Sequence, residues 1–375
     1  MKQQKGLNLE MGNKKKVHYN IDKLDSKGCL FNLAFGSRSD GKSYQVKHKK
    51  MVVKYVQTGR RFILLRRLKE EIKAEKIERY FNDVDVVSVT NGRYNCITMY
   101  RNELFLSNYD IETCKTKRGE KIGYVMALTS EQHYAGSSYL DVDDIIFEEF
   151  MARSPYLHDE PDKLANLWST VDRKRLTTRV WMVGNTISKV CPYYKEWGLR
   201  RILKTMKQGD IRTVEIPAGE DSDGNPQYLS LAMEYCKATG NNLAIGKHKD
   251  MLNKGSWQTD PQPHLPKSLK EYRSRFTFMF VYQDFKFACS YLEDRETGVC
   301  SWFIKPYDGE IDDKTFVFSD QVKPNPYWQR DIYGTTFPNE ALNNLFKTFR
   351  ESNIFYASDD CGTDFKQVID FSIRK

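Results

Sequence analysis

The stretch "LAFGSRSDGKSYQV" (Leu33–Val46) contains the pattern G-x-x-x-x-G-K-S between an apolar run and a segment with helical periodicity. In such a loop the backbone N–H groups surround phosphate oxygens at a helix N-terminus, the lysine reaches the outer phosphates and the serine hydroxyl binds Mg²⁺. We therefore predict nucleotide binding, with Lys42 also acting in catalysis and Ser43 as a metal ligand. The predicted loop residues are Gly36, Ser37, Arg38, Ser39, Asp40, Gly41, Lys42 and Ser43.

The residues on both sides of this loop have the patterns that a phosphate-binding loop requires. "CLFNLAF" (Cys29–Phe35) predicts a buried strand, and the apolar spacing of the residues after Lys42 predicts a helix that ends at Gly59. "RFILLRR" (Arg61–Arg67) predicts the next buried strand. This order of strand, loop and helix favours a nucleotide site over a glycine turn with an incidental lysine.

The whole chain has 375 residues, which suffices for two or three domains, and a formal charge of +9. A basic protein suits a polyanionic partner, although many basic proteins bind none. The lysine-rich start, "MKQQKGLNLEMGNKKK", is expected to be a solvated arm, with nucleic-acid contact as the alternative. The 8 cysteines form no C-x-x-C pair, which indicates a reduced intracellular protein without zinc. No apolar stretch resembles a membrane span or signal peptide, so we expect a soluble protein.

A second candidate part of the site lies in "DVDDIIFEEFMA" (Asp141–Ala152), which predicts a short buried strand ending in Glu148 and Glu149. Two carboxylates at the end of a buried strand are unfavourable unless a cation or hydrogen bonds meet them. We predict Glu148 as a metal ligand, where most such sites have aspartate, and Glu149 as the base that activates water. The alternative is a solvated turn. The Glu-Glu pair favours ATP hydrolysis over phosphate transfer to a small acceptor.

A further strand is predicted at Val180–Val183, and it ends in Gly184-Asn185-Thr186. An amide at this position can contact the γ-phosphate, so Asn185 is a predicted nucleotide ligand. Arg173 and Arg175 precede the strand and are candidates for an arginine finger that a neighbouring subunit supplies. The alternative for both is a solvated loop.

Together these motifs resemble the DNA packaging (encapsidation) ATPases of phi29-like podophages, which are relatives of the terminase large subunits. The resemblance covers roughly the first half of the chain. The motifs that carry it are "GSRSDGKSY", "FILLRR" with "YFNDV" (Tyr80–Val84), "IIFEEF", "LANLWSTVDRKR" (Leu164–Arg175) and "VGNTISKVCPYY" (Val183–Tyr194).

The resemblance assigns roles to individual residues. It implies that Lys42 and Ser43 hold phosphate and Mg²⁺, that Glu148 is the metal acid and that Glu149 is the catalytic glutamate. It also implies that Arg173 is the trans-acting arginine and that Gly184–Thr186 couples hydrolysis to force.

The same resemblance implies an ATP-hydrolysing motor subunit that moves double-stranded viral DNA into a preformed capsid. It implies a homo-oligomeric ring of five subunits at the portal of the procapsid, in the cytoplasm of the infected bacterial host. Whether a structural RNA also takes part is left open by the sequence. The alternatives are a terminase with an active endonuclease, a non-motor P-loop kinase and a capsid-binding protein with a decayed site.

The expected fold class is α/β. We expect a P-loop NTPase sheet of the ASCE type with helices on both faces over residues 1–205, a small linker domain over 206–268 and an RNase H-like α+β domain over 269–375. "IPAGEDSDGNPQ" (Ile216–Gln227) predicts an acidic loop, Tyr228–Ala238 a helix, and "TDPQPHLPKS" (Thr259–Ser268) a linker.

The C-terminal part contains four short aromatic runs, then a helix in "FPNEALNNLFKTFRES" and a strand in "NIFYAS". An antiparallel meander followed by a helix and a strand is the order of an RNase H-like fold. A two-metal nuclease needs clustered carboxylates, but the first strand (Phe276–Tyr282) has none. Asp359 and Asp360 follow the later strand and Asp284 lies in a hairpin turn. We therefore expect an inactive nuclease domain that contacts nucleic acid or the capsid, as the resemblance also implies.

Overall fold

A computed structural model of the chain describes residues 18–152, 156–220, 222–239, 254, 256–257, 259–282, 285–321, 323–329, 339–352 and 354–373. Its larger sheet has nine strands in the order 3-4-5-2-6-7-1-9-8. The six central strands, from the third to the eighth in this order, run parallel, whereas the two ends of the sheet are antiparallel hairpins. The strands are β1 (Phe31–Gly36), β2 (Arg61–Arg66), β3 (Cys96–Tyr100), β4 (Glu103–Asp110), β5 (Lys115–Ala127), β6 (Val142–Glu148), β7 (Arg179–Asn185), β8 (Ile211–Glu220) and β9 (Pro226–Tyr235).

Both faces of this sheet are covered. Alternate residues of β6 point to opposite sides, so Ile145 and Phe147 join one apolar core while Ile146 joins the other. Helices α6 to α8 cover the first face and α1 to α5 the second. The helices are α1 (Asp22–Asp25), α2 (Lys42–Val46), which continues through a π-helical segment (Lys47–Val53) into α3 (Lys54–Thr58), α4 (Ala74–Tyr80), α5 (Val86–Val89), α6 (Glu160–Asp172), α7 (Pro192–Glu196) and α8 (Arg200–Thr205).

The expected helix over Tyr228–Ala238 is wrong. These residues form most of β9, which pairs with β1 in parallel, with Phe31 opposite Leu231 and Phe35 opposite Tyr235. The inner part of β9 is buried on both faces, so it lacks the alternation of polar and apolar residues that marks a half-buried strand. Two segments of the expected linker domain, β8 and β9, therefore belong to the nine-stranded sheet, while the division into three domains stays a prediction.

The second sheet has six strands in the order 14-13-10-11-12-15. β10, β11 and β12 form the expected antiparallel meander, but β13 and β15 pair in parallel with β10 and β12, so the fourth strand is not part of the meander. Two helices pack their aromatic residues on one face. The elements are β10 (Tyr272–Tyr282), β11 (Phe285–Asp294), β12 (Cys300–Pro306), β13 (Val317–Ser319), β14 (Trp328–Gln329), α9 (Glu340–Glu351), β15 (Ile354–Tyr356) and α10 (Asp359–Ile373).

The segment that follows β7 attaches the two sheets to each other. Val190 is part of the aromatic core of the second sheet, and Ser188 Oγ donates a hydrogen bond of 2.6 Å to Gln367 Oε1 on α10. Lys189 Nζ lies 3.8 Å from Asp364, also on α10. Thr186, which directly follows β7, is only two residues from this contact. Among the described residues, no helix is long and apolar enough to cross a membrane.

The Asp364 carboxyl makes this contact sensitive to pH. Burial raises its pKa to about 6, and the nearby Lys189 ammonium opposes the shift only in part. A raised pKa means that the folded protein binds this proton more tightly than the unfolded chain, so the contribution of Asp364 to stability is present below pH 4 and lost as the pH rises through 6.

Asp364→Asn should remove this dependence. We expect its free energy of unfolding, relative to that of the unmodified protein, to rise by about 2 kcal/mol between pH 4 and pH 7. Denaturant titrations at several pH values measure the difference, and Asp308→Asn, at an exposed carboxylate, is the control. A difference that stays constant with pH would contradict the prediction.

Candidate nucleotide site

The phosphate-loop pattern lies where the sequence predicts it, between the carboxyl end of β1 and the start of α2. A Cβ on Gly36 would come within 3.0 Å of the Cys236 carbonyl oxygen, and Gly41 has φ +95°, which side-chain-bearing residues rarely adopt. Both glycines are therefore required by the backbone. Ser37 and Asp40 are buried, whereas Arg38 and Ser39 are exposed.

Lys42 lies beneath this loop with 4% of its surface exposed, and its ammonium donates to the Ser37 carbonyl oxygen. The Ser37 hydroxyl contacts the Asp40 carboxylate, which ties the two ends of the loop together. Burial lowers the pKa of the Lys42 ammonium. A phosphate group beside the amine would favour the charged form because it brings negative charge into the buried site.

Ser43 and Glu148 are the two predicted metal ligands, and the fold brings them into contact. Ser43 Oγ donates a hydrogen bond of 2.8 Å to Glu148 Oε2, and the Tyr80 hydroxyl donates one of 2.7 Å to Oε1. Glu148 is 5% exposed, and burial raises the pKa of its carboxyl. A hydroxyl and a carboxylate are hard oxygen donors, which fit Mg²⁺.

Glu149 differs from Glu148 in its exposure, its contacts and its backbone conformation. Its side chain is 68% exposed, and its carboxylate lies 3.7 Å from the Arg66 guanidinium. Its backbone has φ 57°, in the left-handed region. The change of backbone direction turns the Glu149 carboxylate out of the sheet, where water can reach it, while Glu148 stays inside.

Asn185 lies beside the phosphate loop. It ends β7 and is in register with Gly36 on β1, and the Thr186 N–H donates to the Gly36 carbonyl oxygen at 3.2 Å. The preceding residue must be small, because a Cβ on Gly184 would approach the Phe150 ring to 2.9 Å. The position of Asn185 therefore suits the predicted contact with a terminal phosphate.

The two arginine-finger candidates lie elsewhere. Arg173 follows α6 and Arg175 binds the backbone around Val142, at the amino end of β6, whereas the phosphate loop lies at the carboxyl edge. Seven strand residues, about 20 Å, separate the two edges, so neither arginine reaches the nucleotide of its own chain.

Their hydrogen bonds distinguish the two arginines. Arg175 makes several bonds to backbone carbonyls, including those of Asp172, Leu140 and Val171, and so holds the loop together. Arg173 is exposed and donates to the Ser137 carbonyl at 2.7 Å. Arg173 is therefore the better candidate to act on another subunit.

Sequence reasoning missed two partners of the site. Tyr80 belongs to a motif used only for the resemblance, and its contact with Glu148 joins residues 68 positions apart in the chain. The sequence places Arg66 in a predicted strand, but it does not indicate that Arg66 lies near Glu149. Each contact depends on the order of the strands, which local patterns do not encode.

Known proteins resemble this chain in sequence and in structure. Residues 13–288 match the podovirus DNA encapsidation protein (Gp16) family. The DNA packaging protein of Bacillus phage phi29 is 29% identical over 281 residues, 72% of this chain and 74% of the relative. That of Bacillus phage B103 is 28% identical over 264 residues, 68% of this chain and 72% of the relative. A chain of the bacteriophage Phi-29 viral genome packaging motor assembly has a TM-score of 0.57 and 19% identity, with 96% of this chain and 99% of that chain covered. This last likeness concerns the fold.

Proposed function

Because this chain belongs to the podovirus DNA encapsidation protein (Gp16) family, we propose that it is the ATP-hydrolysing subunit of a motor that moves double-stranded viral DNA into a preformed capsid. The observation that carries the proposal is the 2.8 Å hydrogen bond between Ser43 and Glu148. It joins the phosphate loop and the acidic strand end in one site, with Glu149 directly beside them.

Each residue of the site then has one role. Lys42 and the loop N–H groups bind the phosphates, and Ser43 and Glu148 hold Mg²⁺, which neutralises phosphate charge when it is bound. Glu149 takes the proton of the attacking water, and Asn185 contacts the γ-phosphate. The position of β7 between β1 and β6 supports assignment to the ASCE class, in which a strand separates the phosphate loop from the acidic strand.

Lys42→Ala tests nucleotide binding. We expect ATP affinity to fall about 100-fold or more, because two charged hydrogen bonds to phosphate are each worth about 1.5–3 kcal/mol. Titration with a fluorescent ATP analogue measures the dissociation constant. Lys49→Ala removes a lysine from the same helical segment that pairs with Asp22, and it should bind like the unmodified protein. Equal affinity in the Lys42 variant would refute the site.

The motor proposal includes a ring of five subunits, docked on the portal of a procapsid in the host cytoplasm, with double-stranded DNA as its substrate. The distance between Arg173 and the phosphate loop of its own chain supports a ring, because only a neighbour could use that arginine. DNA contacts should be mainly to phosphates, since packaging must tolerate every sequence. A structural RNA is a further candidate partner.

For the C-terminal part we propose an RNase H-like domain without a complete nuclease site. Asp359 accepts from the Gln262 N–H at 2.9 Å and lies 3.0 Å from His264, while Asp360 lies 4.0 Å from Lys189. Within the described ranges no group of three or more acidic, histidine or cysteine side chains could hold a metal ion. Asp284 lies outside the described residues.

The proposal predicts that the protein does not cut DNA. Supercoiled plasmid incubated with the protein and Mn²⁺ should stay supercoiled, because two-metal cleavage needs carboxylates that share cations. Gel electrophoresis measures nicking. Nicking that disappears in Asp359→Asn would favour the alternative of an active terminase nuclease.

A further inference from the structure

Arg67, the residue after β2, makes a buried ion pair with the first residue of α6. Its Nε and Nη2 donate to the two carboxylate oxygens of Glu160 at 2.8 and 2.9 Å. The side chains are 6% and 0% exposed. Phe147 and Tyr156 pack against the guanidinium plane. A buried ion pair of this kind adds little to stability compared with apolar residues of the same size, so its presence calls for another reason.

The remaining donors of Arg67 supply that reason. Nη1 donates to the carbonyl oxygen of Glu149 at 3.1 Å, and Nη2 donates to that of Phe150 at 2.7 Å. One guanidinium therefore binds two successive backbone carbonyls at the residue with left-handed φ. That conformation is unfavourable for a glutamate, so it needs support from outside the turn.

Glu160 keeps the guanidinium in place. Besides Arg67, its carboxylate accepts the Tyr193 hydroxyl at 2.9 Å and the Leu157 N–H at 2.9 Å. The carboxylate is thus fixed from α7 and from the backbone before α6. Arg67 therefore has one available orientation, directed at the Glu149 turn.

We propose that Arg67 and Glu160 are positioning residues for ATP hydrolysis. They hold the backbone of Glu149 so that its carboxylate stays directed at the attacking water, and they do not touch the nucleotide. This inference rests on the proposed role of Glu149 as the catalytic base. Arg66 and Arg67 then have separate tasks, since the first faces the Glu149 carboxylate and the second its backbone.

The test uses two variants. The double variant Arg67→Met/Glu160→Gln leaves no buried charge unpaired. The single variant Arg67→Lys keeps the cation but cannot span both carbonyls. Arg60 and Asp143 form the matched control, because Nε and Nη2 of Arg60 donate to Asp143 at 2.8 and 2.7 Å near the opposite ends of β2 and β6. The control variant is Arg60→Met with Asp143→Asn.

We expect kcat for ATP to fall about 100-fold in both Arg67 variants, as for a misplacement of about 1 Å. The dissociation constant of an ATP analogue should change less than about 3-fold, and the control should keep both values. Because Arg67 acts through Glu149, Arg67→Lys should cause no further loss in a Glu149→Gln background.

Three results would overturn the inference. The first is an unchanged kcat in a folded Arg67 variant. The second is a loss of nucleotide affinity as large as the loss of kcat. The third is a loss of kcat by Arg67→Lys that is as large in the Glu149→Gln background as in the unmodified protein. If the double variant does not fold, Arg67→Lys carries the test. Absence of ATP hydrolysis in the unmodified protein, or full activity of Glu149→Gln alone, would instead refute the proposed function.

Discussion

Glu149→Gln should bind ATP as the unmodified protein does and hydrolyse it about 10²- to 10⁴-fold more slowly, the range for loss of a general base. Glutamine has nearly the same size, but its amide cannot accept the proton of the attacking water. Glu149 is the exposed carboxylate of the site and makes no hydrogen bond to the phosphate loop among the described contacts. Binding and turnover should therefore separate.

Phosphate release at saturating ATP measures turnover, and titration with an ATP analogue measures affinity. The matched control is Glu71→Gln, because Glu71 also lies close to Arg66, at 3.5 Å, but on a 3₁₀ turn after β2. The control should keep its turnover. Turnover by Glu149→Gln at the unmodified rate would exclude Glu149 as the base.

Arg173→Ala should lower DNA-stimulated ATP hydrolysis by about 10³-fold or more, as expected for an arginine that stabilises transition-state charge in trans. The side chain is exposed and lies at the edge of the sheet opposite the phosphate loop. Its loss should therefore leave nucleotide affinity and folding unchanged. Lys174→Ala, one residue away and also exposed, is the control.

Mixtures of the unmodified protein with Arg173→Ala provide a stricter test. If neighbours share sites in a ring, activity falls faster than the fraction of Arg173→Ala subunits, measured with and without double-stranded DNA. A proportional fall without DNA stimulation would mean that each chain acts alone. That outcome would favour the P-loop kinase alternative, for which ADP production requires a small acceptor.

The sequence alone predicts the parts of this site that are encoded locally. The phosphate loop, the paired glutamates at the end of β6 and Asn185 at the end of β7 each lie at the end of an apolar run, and parallel strands bring such ends to one edge of a sheet. Tyr80 and Glu160 could not be found in this way, because their partners Glu148 and Arg67 are distant in the chain.

The missed secondary structure has physical causes as well. The apolar spacing of Tyr228–Ala238 predicts a helix, but these residues form most of β9, whose burial on both faces removes the alternation typical of a strand. Helix α10 contains Gly362, which lowers helix propensity. That glycine is explained by packing, since a Cβ there would approach Gln262 Cγ to 2.5 Å and the Tyr356 ring to 2.8 Å. Only the tertiary contact makes glycine suitable at this helical position.

Helix α6 has a consequence for timing in a ring. It has 13 residues, about 20 Å, and begins with Glu160 and ends next to Arg173. One helix thus joins Glu160, which supports the backbone of the proposed base Glu149, to Arg173, which we propose acts on the neighbouring subunit. A displacement of Arg173 by the neighbour's phosphate would be transmitted along α6 to Glu160 and from there to the backbone of Glu149. If Arg173 acts as proposed, ATP hydrolysis in one subunit would depend on the nucleotide state of its neighbour.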